Sequence, residues 1–281
     1  MANILRAICT IIHQVDRTTT SDGSSRNRMN ETGGALERYM KDAFSGIEGV
    51  ADEQERNKIY SQNFSWLGNQ NNPPDFMIRG GDAVEVKKIE SLNSDLALNS
   101  SYPKSKLSSD NPMITQPCRK CEDWNTKDII YTIGYVNRTT LRSLWMVYGS
   151  IYAAECEVYE RIRTTISSGV NSIPNVEFGE TKELGRVNRV DPLGITNLRI
   201  RGMWSIRNPR KVFEYIQPRQ NSLTFELVSI IPNDKYYNFD EGSRLLLEEI
   251  DKDGFSILDV QVKDPNNPAN LVEAKLIKYF I

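Results

Sequence analysis

Residues 74–91, PDFMIRGGDAVEVKKIES, limit what this chain can fold into more than any other stretch. Two short runs of strand-forming residues flank Arg79-Gly80-Gly81-Asp82, and glycines between such runs close a β-hairpin. Asp75 and Glu85 are equidistant in sequence from Gly80, so the hairpin sets them opposite each other. Glu85 and Lys87 are two apart and share one face of their strand, whereas Val86 and Lys88 point to the other. Two carboxylates and one ammonium therefore converge on one side of an otherwise apolar strand.

That inventory suits phosphodiester hydrolysis. Two carboxylates, Asp75 and Glu85, can hold a hard, oxygen-seeking cation such as Mg2+ that activates water and neutralises charge at phosphorus. The Lys87 ammonium can orient the attacking water and stabilise the crowded transition state. Acid-x-Lys triplets also occur by chance on solvated hairpins, but the order Pro-Asp, glycine turn, Glu-x-Lys is more restrictive. Mechanisms built on a histidine base or nucleophile are excluded by counting, because His13 is the single histidine and lies in a helical N-terminal segment.

The 281 residues are 39% hydrophobic and 26% charged, the composition of a globular chain able to bury a sizeable core. No apolar run is long enough to cross a bilayer, and MANILRAICTIIHQVD is interrupted by Arg6 and His13 without a cleavage site behind it. A cytoplasmic protein with no membrane partner is expected. Residues 17–33, rich in Thr, Ser, Asn and Gly, read as a loop. A helix follows over about residues 34–44, capped by Asn30 or Thr32, with Leu36, Met40, Ala43 and Phe44 as its apolar stripe and Glu37 at the stripe's edge near the N-terminus. Strands are expected at 128–136, 144–152 and 223–231, and a helix at 153–167. This order predicts an α/β fold, a mixed β-sheet flanked by helices with a recognition extension. A single domain over 1–281 is expected, with a catalytic core region at about 30–155 and recognition elements plus the remaining core at about 156–281.

Cys9, Cys118, Cys121 and Cys156 have no disulfide-rich spacing and read as reduced thiols. Cys118 and Cys121 make half a zinc knuckle with no second pair, so zinc is the minority reading. Between residues 182 and 219 stand nine basic residues, Lys182, Arg186, Arg189, Arg199, Arg201, Arg207, Arg210, Lys211 and Arg219, against Glu183, Asp191 and Glu214. In a chain of net charge −2 this surplus predicts a clamp on the phosphate backbone of duplex DNA, with some arginines reading guanine edges. Arg186, Arg189, Arg199, Arg201, Arg207 and Arg210 are the expected DNA contacts. LNSSYPKSKL, behind the catalytic strand, adds Ser100, Ser101, Lys104 and Lys106 as groups suited to phosphates beside the cut.

RNRMNETGGALERYMKDAF, PPDFMIRGGDAVEVKKIES, LNSSYPKSKL, CRKCEDWNTKDIIYTIGYV and LWMVYGSIYAAE occur in this order, and through them the chain resembles the NgoPII-type family of type II restriction endonucleases, within the PD-(D/E)xK nuclease group. The resemblance implies a PD-(D/E)xK nuclease core with Asp75 and Glu85 as metal ligands and Lys87 as catalytic lysine. It also implies a role for Glu37, since a helix glutamate ahead of the hairpin often approaches the metal site in related nucleases. It further implies a homodimer cutting both strands of a short palindrome, GGCC in the family, to 5′-phosphate and 3′-hydroxyl ends, and a cognate DNA methyltransferase protecting host sites. A repair or junction-resolving nuclease with the same core is the alternative enzyme. A non-catalytic DNA-binding protein, with or without zinc on Cys118 and Cys121, is the alternative without catalysis.

Overall fold

The computed structural model describes residues 2–19, 28–49, 52–69, 72–220 and 223–281, without the side chains of 28–32. The chain opens with α1 (Ile4–His13), capped by the Asn3 side chain accepting from Arg6 N at 3.0 Å, a bond worth about 1 kcal/mol. Its isoleucines recur at helical spacing, and Ile4, Ile8, Ile11 and Ile12 are all buried. Helices α2 (Arg28–Ser45) and α3 (Glu53–Asn63) follow. Then come β1 (Phe64–Trp66), β2 (Phe76–Ile78), β3 (Ala83–Ile89), β4 (Leu96–Asn99), β5 (Lys106–Ser108), the short α4 (Gln116–Arg119), β6 (Thr126–Asn137) and β7 (Thr140–Tyr148). The second half holds α5 (Cys156–Asn171), β8 (Glu177–Phe178), β9 (Gly185–Asn188), β10 (Leu198–Ile200), β11 (Trp204–Ile206) and α6 (Pro209–Val212). It ends with β12 (Glu226–Pro232), α7 (Asn233–Asn238), α8 (Glu241–Glu248), β13 (Phe255–Lys263) and β14 (Leu271–Phe280).

Nine strands form one mixed sheet in the order β1-β2-β3-β6-β7-β12-β14-β13, with β5 added alongside β6. The pairs β3/β6 and β7/β12 are parallel and the others antiparallel. Strand β12 is buried at every position, as a central strand covered on both faces must be. Two small sheets stand apart: β10-β9-β8, and β11 paired with β4. This is the expected α/β architecture, a large mixed sheet flanked by helices.

Several boundaries move. Helix α2 begins at Arg28, so residues 28–33 are helical where a loop was expected, and Glu37 sits in mid-helix rather than near its N-terminus. The expected caps Asn30 and Thr32 fall inside this helix, with side chains outside the described residues. Strand β7 ends at Tyr148 and gives way to a 3-10 turn at Gly149–Ile151. Among the described residues no helix is long and apolar enough to cross a membrane.

Candidate active site

The hairpin β2–β3 carries the expected register. Phe76 pairs with Val84 and Met77 with Ala83, and Asp75 N donates to the Val84 carbonyl at 3.1 Å. Asp75 therefore lies just before β2, beside Glu85. The apolar side of β3 is real: Val84 and Val86 are buried, and Ala83 and Ile89 close the ends. Lys88, on that other side, pairs with Glu90 at 3.6 Å and stands away from the carboxylates, as strand alternation requires.

Asp75 Oδ2 accepts from Val86 N at 2.6 Å. The Lys87 ammonium donates to Glu85 Oε1 at 2.6 Å, while Glu85 Oε2 is buried with no hydrogen-bond partner among the described residues. The Asp75 carboxyl is pushed up to about 8, first by burial and then by the nearby Glu85, against the pull of Lys87. Burial works to discharge Lys87, yet Glu85 and Asp75 hold its ammonium above the usual lysine range. Crowded carboxylates and a buried partnerless oxygen are what a cation relieves, and hard carboxylate oxygens are the donors that a hard divalent ion takes. The residues present therefore fit such an ion.

Glu37 reaches the site electrostatically, raising the proton affinity of both Asp75 and Lys87. Its own carboxylate is held by Lys41 at 2.6 Å, and Lys41 also donates to the Leu67 carbonyl at 2.9 Å. Helix α2 is thereby tied to the loop that leads into Asp75. Lys41 was readable in the sequence as the i+4 partner of Glu37. Gly68 was not. Its φ is +84°, and a Cβ there would collide with the Asp75 carbonyl oxygen, so glycine at 68 lets the loop lie directly against the backbone at Asp75.

Of the four residues expected from LNSSYPKSKL, Lys104 is the one whose charge couples to Glu85 and Lys87. It is 7% exposed, its ammonium donates to Ser101 Oγ at 2.5 Å, and no carboxylate pairs with it among the described residues. Burial lowers its affinity for a proton, Glu85 opposes that, and Lys87 adds to it, so all three share one field. Tyr131, opposite Glu85 on β6, holds Lys104 through its hydroxyl, which accepts from Lys104 N at 2.7 Å. Ser101 is half-buried, and Ser100 and Lys106 are exposed.

The basic segment divides. Arg186, Arg189, Arg199, Arg201 and Arg207 are exposed on or beside the small β8-β9-β10 sheet and β11. Arg199 and Arg201 share Glu183, at 2.9 and 2.5 Å. Arg210 departs from expectation: it is 2% exposed, donates to the buried Glu226 at 3.0 Å, and also bonds the Gln220 carbonyl. It forms an internal ion pair, and its burial removes it from the arginines expected to contact DNA. Helix α5 and strand β11 are fastened to the Lys104 segment by Tyr102, which stacks on Tyr159 of α5 at 5.4 Å, meets Trp204 of β11 edge-on and donates to Glu160 at 2.8 Å.

Zinc finds no cage at the cysteine pair. Cys118 is buried with Sγ 3.6 Å from Met77 Sδ, Cys121 bonds the Cys118 carbonyl, and among the described residues no group of three or more His, Cys, Asp or Glu gathers to hold a metal. His13 ends α1, exposed, with Nδ1 2.7 Å from the Cys9 carbonyl.

The family model for NgoPII restriction endonuclease matches residues 2–263. The chain is 48% identical over 280 residues to the type II restriction enzyme NgoPII of Neisseria gonorrhoeae, an alignment covering 99% of this chain and 100% of that protein. No solved structure matches it. The chain belongs to the NgoPII restriction endonuclease family.

Proposed function

We propose that this chain, a type II site-specific deoxyribonuclease, hydrolyses phosphodiester bonds of duplex DNA at a centre made by Asp75, Glu85 and Lys87, within a PD-(D/E)xK core. The observation that carries this assignment is the convergence on one hairpin of two crowded carboxylates and an ammonium, with Glu85 Oε2 buried and partnerless. Asp75 and Glu85 are the groups that would hold Mg2+. When bound, the cation supplies Lewis-acid stabilisation of charge building on the phosphate oxygens. Lys87, fixed by Glu85, orients the attacking water and offsets the same charge from its own side. Lys104, buried with no carboxylate partner among the described residues, faces the phosphate as a second fixed positive charge. Glu37 adds negative potential from α2.

Exposed arginines at 186, 189, 199, 201 and 207 position the duplex, joined by Ser100, Ser101 and Lys106 beside the cut. One catalytic centre per chain against two DNA strands supports a twofold homodimer on a palindromic site, GGCC in our reading. Host sites then need protection by a cognate methyltransferase, whose methyl group in the major groove would block close readout. The enzyme would act in the cytoplasm, where that DNA lies.

Incubating unmethylated DNA with the protein and magnesium, then sequencing the ends, tests this function. Discrete fragments with 5′-phosphate ends at one short palindrome are expected, with methylated sites spared. Random nicking, cutting governed by junction structure, or equal cutting of methylated sites would overturn it.

A further inference from the structure

The hairpin β9–β10 carries arginines on its strands and bare apolar side chains at its tip. Arg186 pairs across the ladder with Arg199. The side chains of Arg189, Arg199 and Arg201 are 70%, 60% and 60% exposed. Beyond the last pair, Leu193 and Ile195 are 81% and 75% exposed, among the most exposed large apolar side chains described. Scattered apolar residues on a surface need no explanation. These two differ because the turn holds them outward.

Asp191 staples the tip. Its Oδ1 accepts from Leu193 N at 3.0 Å, its Oδ2 from Thr196 N at 2.6 Å, and its carbonyl from Gly194 N at 2.8 Å. Val190 N donates to the Thr196 carbonyl at 2.9 Å, closing the loop below. Gly194 at φ +68° turns the chain between the two apolar residues, and the Arg189 side chain lies against it. A collapsed loop would fold Leu193 and Ile195 back onto the ribbon. This one spends its hydrogen bonds keeping them in water, with guanidinium groups behind them.

A positively charged β-ribbon with a rigid apolar tip matches the chemistry of duplex DNA at two levels. Arginines meet phosphates along a groove, and an apolar wedge enters between base pairs, partly unstacking them. We propose that the β9–β10 hairpin is a DNA-deforming arm whose Leu193 and Ile195 insert at a base-pair step in or beside the recognition site. This rests on duplex DNA being the substrate. Behind the arm, Gly185 of β9 lies against Val170 of α5, and the Tyr102–Tyr159–Trp204 cluster ties α5 and β11 to the segment holding Lys104, a packed route from the duplex to the catalytic phosphate. Specificity then includes the deformability of the unstacked step as well as base contacts.

The test uses the full-length protein with calcium in place of magnesium. The probe is a short duplex carrying the site that end sequencing identifies, with 2-aminopurine or pyrrolocytosine at each position in turn. Wild-type protein is expected to raise fluorescence at one step in each half of the duplex. Leu193→Ser with Ile195→Ser removes that rise and weakens binding roughly tenfold, with the salt slope unchanged, because apolar burial and not ion pairing is lost. Arg199→Gln with Arg201→Gln keeps the rise at saturating protein but flattens the salt slope. Wild-type binding without a fluorescence rise at any step, or a tip variant that unstacks and binds like wild type, overturns the proposal. So does a tip variant that sediments with one chain per duplex where wild type shows two, which would make the tip a contact between copies. Absence of any wild-type complex with DNA would overturn the substrate assignment and the arm together, and is distinguished by lost cleavage as well.

Discussion

At the residue scale, Lys104 separates stability from the proposed function. A lysine that is 7% exposed with no carboxylate partner costs stability, since burial disfavours its charge. Lys104→Met fills similar space without that charge. The expected result is an unchanged or higher melting temperature with cleavage lowered by roughly 10²-fold, the scale of one lost transition-state donor, and partial recovery in Lys104→Arg. Wild-type cleavage rates in a folded Lys104→Met protein would remove Lys104 from the site. Arg210 predicts the opposite pattern. Its removal strands Glu226, which also accepts from Ser143 and Trp145, in the interior. Arg210→Ala should cost about 3–5 kcal/mol in urea denaturation while leaving the DNA affinity of the remaining folded protein intact. Counting charge along the sequence put Arg210 with the DNA contacts because a count does not register burial. Lys104 stood in the sequence as one cation in a polar turn, and its burial depends on Tyr131, 27 residues away.

At the scale of elements, the β2–β3 hairpin was the most legible part of the chain. A side-chain period of two and a glycine turn fix its register, and Asp75 beside Glu85 follows from those alone. The start of α2 was not legible, because RMNETGG has neither apolar periodicity nor high helix propensity, and contacts further along the helix decide its length. Gly68 was hidden for a related reason: only the folded loop shows that it touches Asp75. The turn of the hairpin has its own titration. Asp82, accepting from Tyr148 at 2.7 Å, is pushed up to about 6, mainly by burial, with Asp128 adding to it and Tyr148, Lys235 and Lys127 opposing. Because its folded value lies above its unfolded one, the stability it contributes is full below the ordinary aspartate range and is lost as pH rises through about 6. Asp82→Asn should therefore gain stability relative to wild type as pH climbs across that window, measured as the difference between their thermal unfolding curves. A constant difference across the window would contradict the assignment.

Across the whole molecule, strands from the first and last thirds of the chain share one sheet, and we propose that 1–281 folds as one domain, with the β9–β10 arm inserted between β7 and β12. The α/β class was readable from the succession of strand and helix patterns, whereas strand order was not, since β12 joins β7 across more than 70 residues that hold the arm. The sheet carries the hairpin, and in our proposal the exposed arginines hold the duplex while Asp75, Glu85 and Lys87 cut it. Cleavage of unmethylated duplex DNA in magnesium by Asp75→Ala and Lys87→Ala proteins, each shown to be folded and to bind the duplex in calcium, tests this division of labour most directly. Both are expected to bind near wild-type affinity and neither to cut, because each substitution removes a transition-state contributor and leaves the phosphate clamp in place. Undiminished cutting by either folded variant would contradict it.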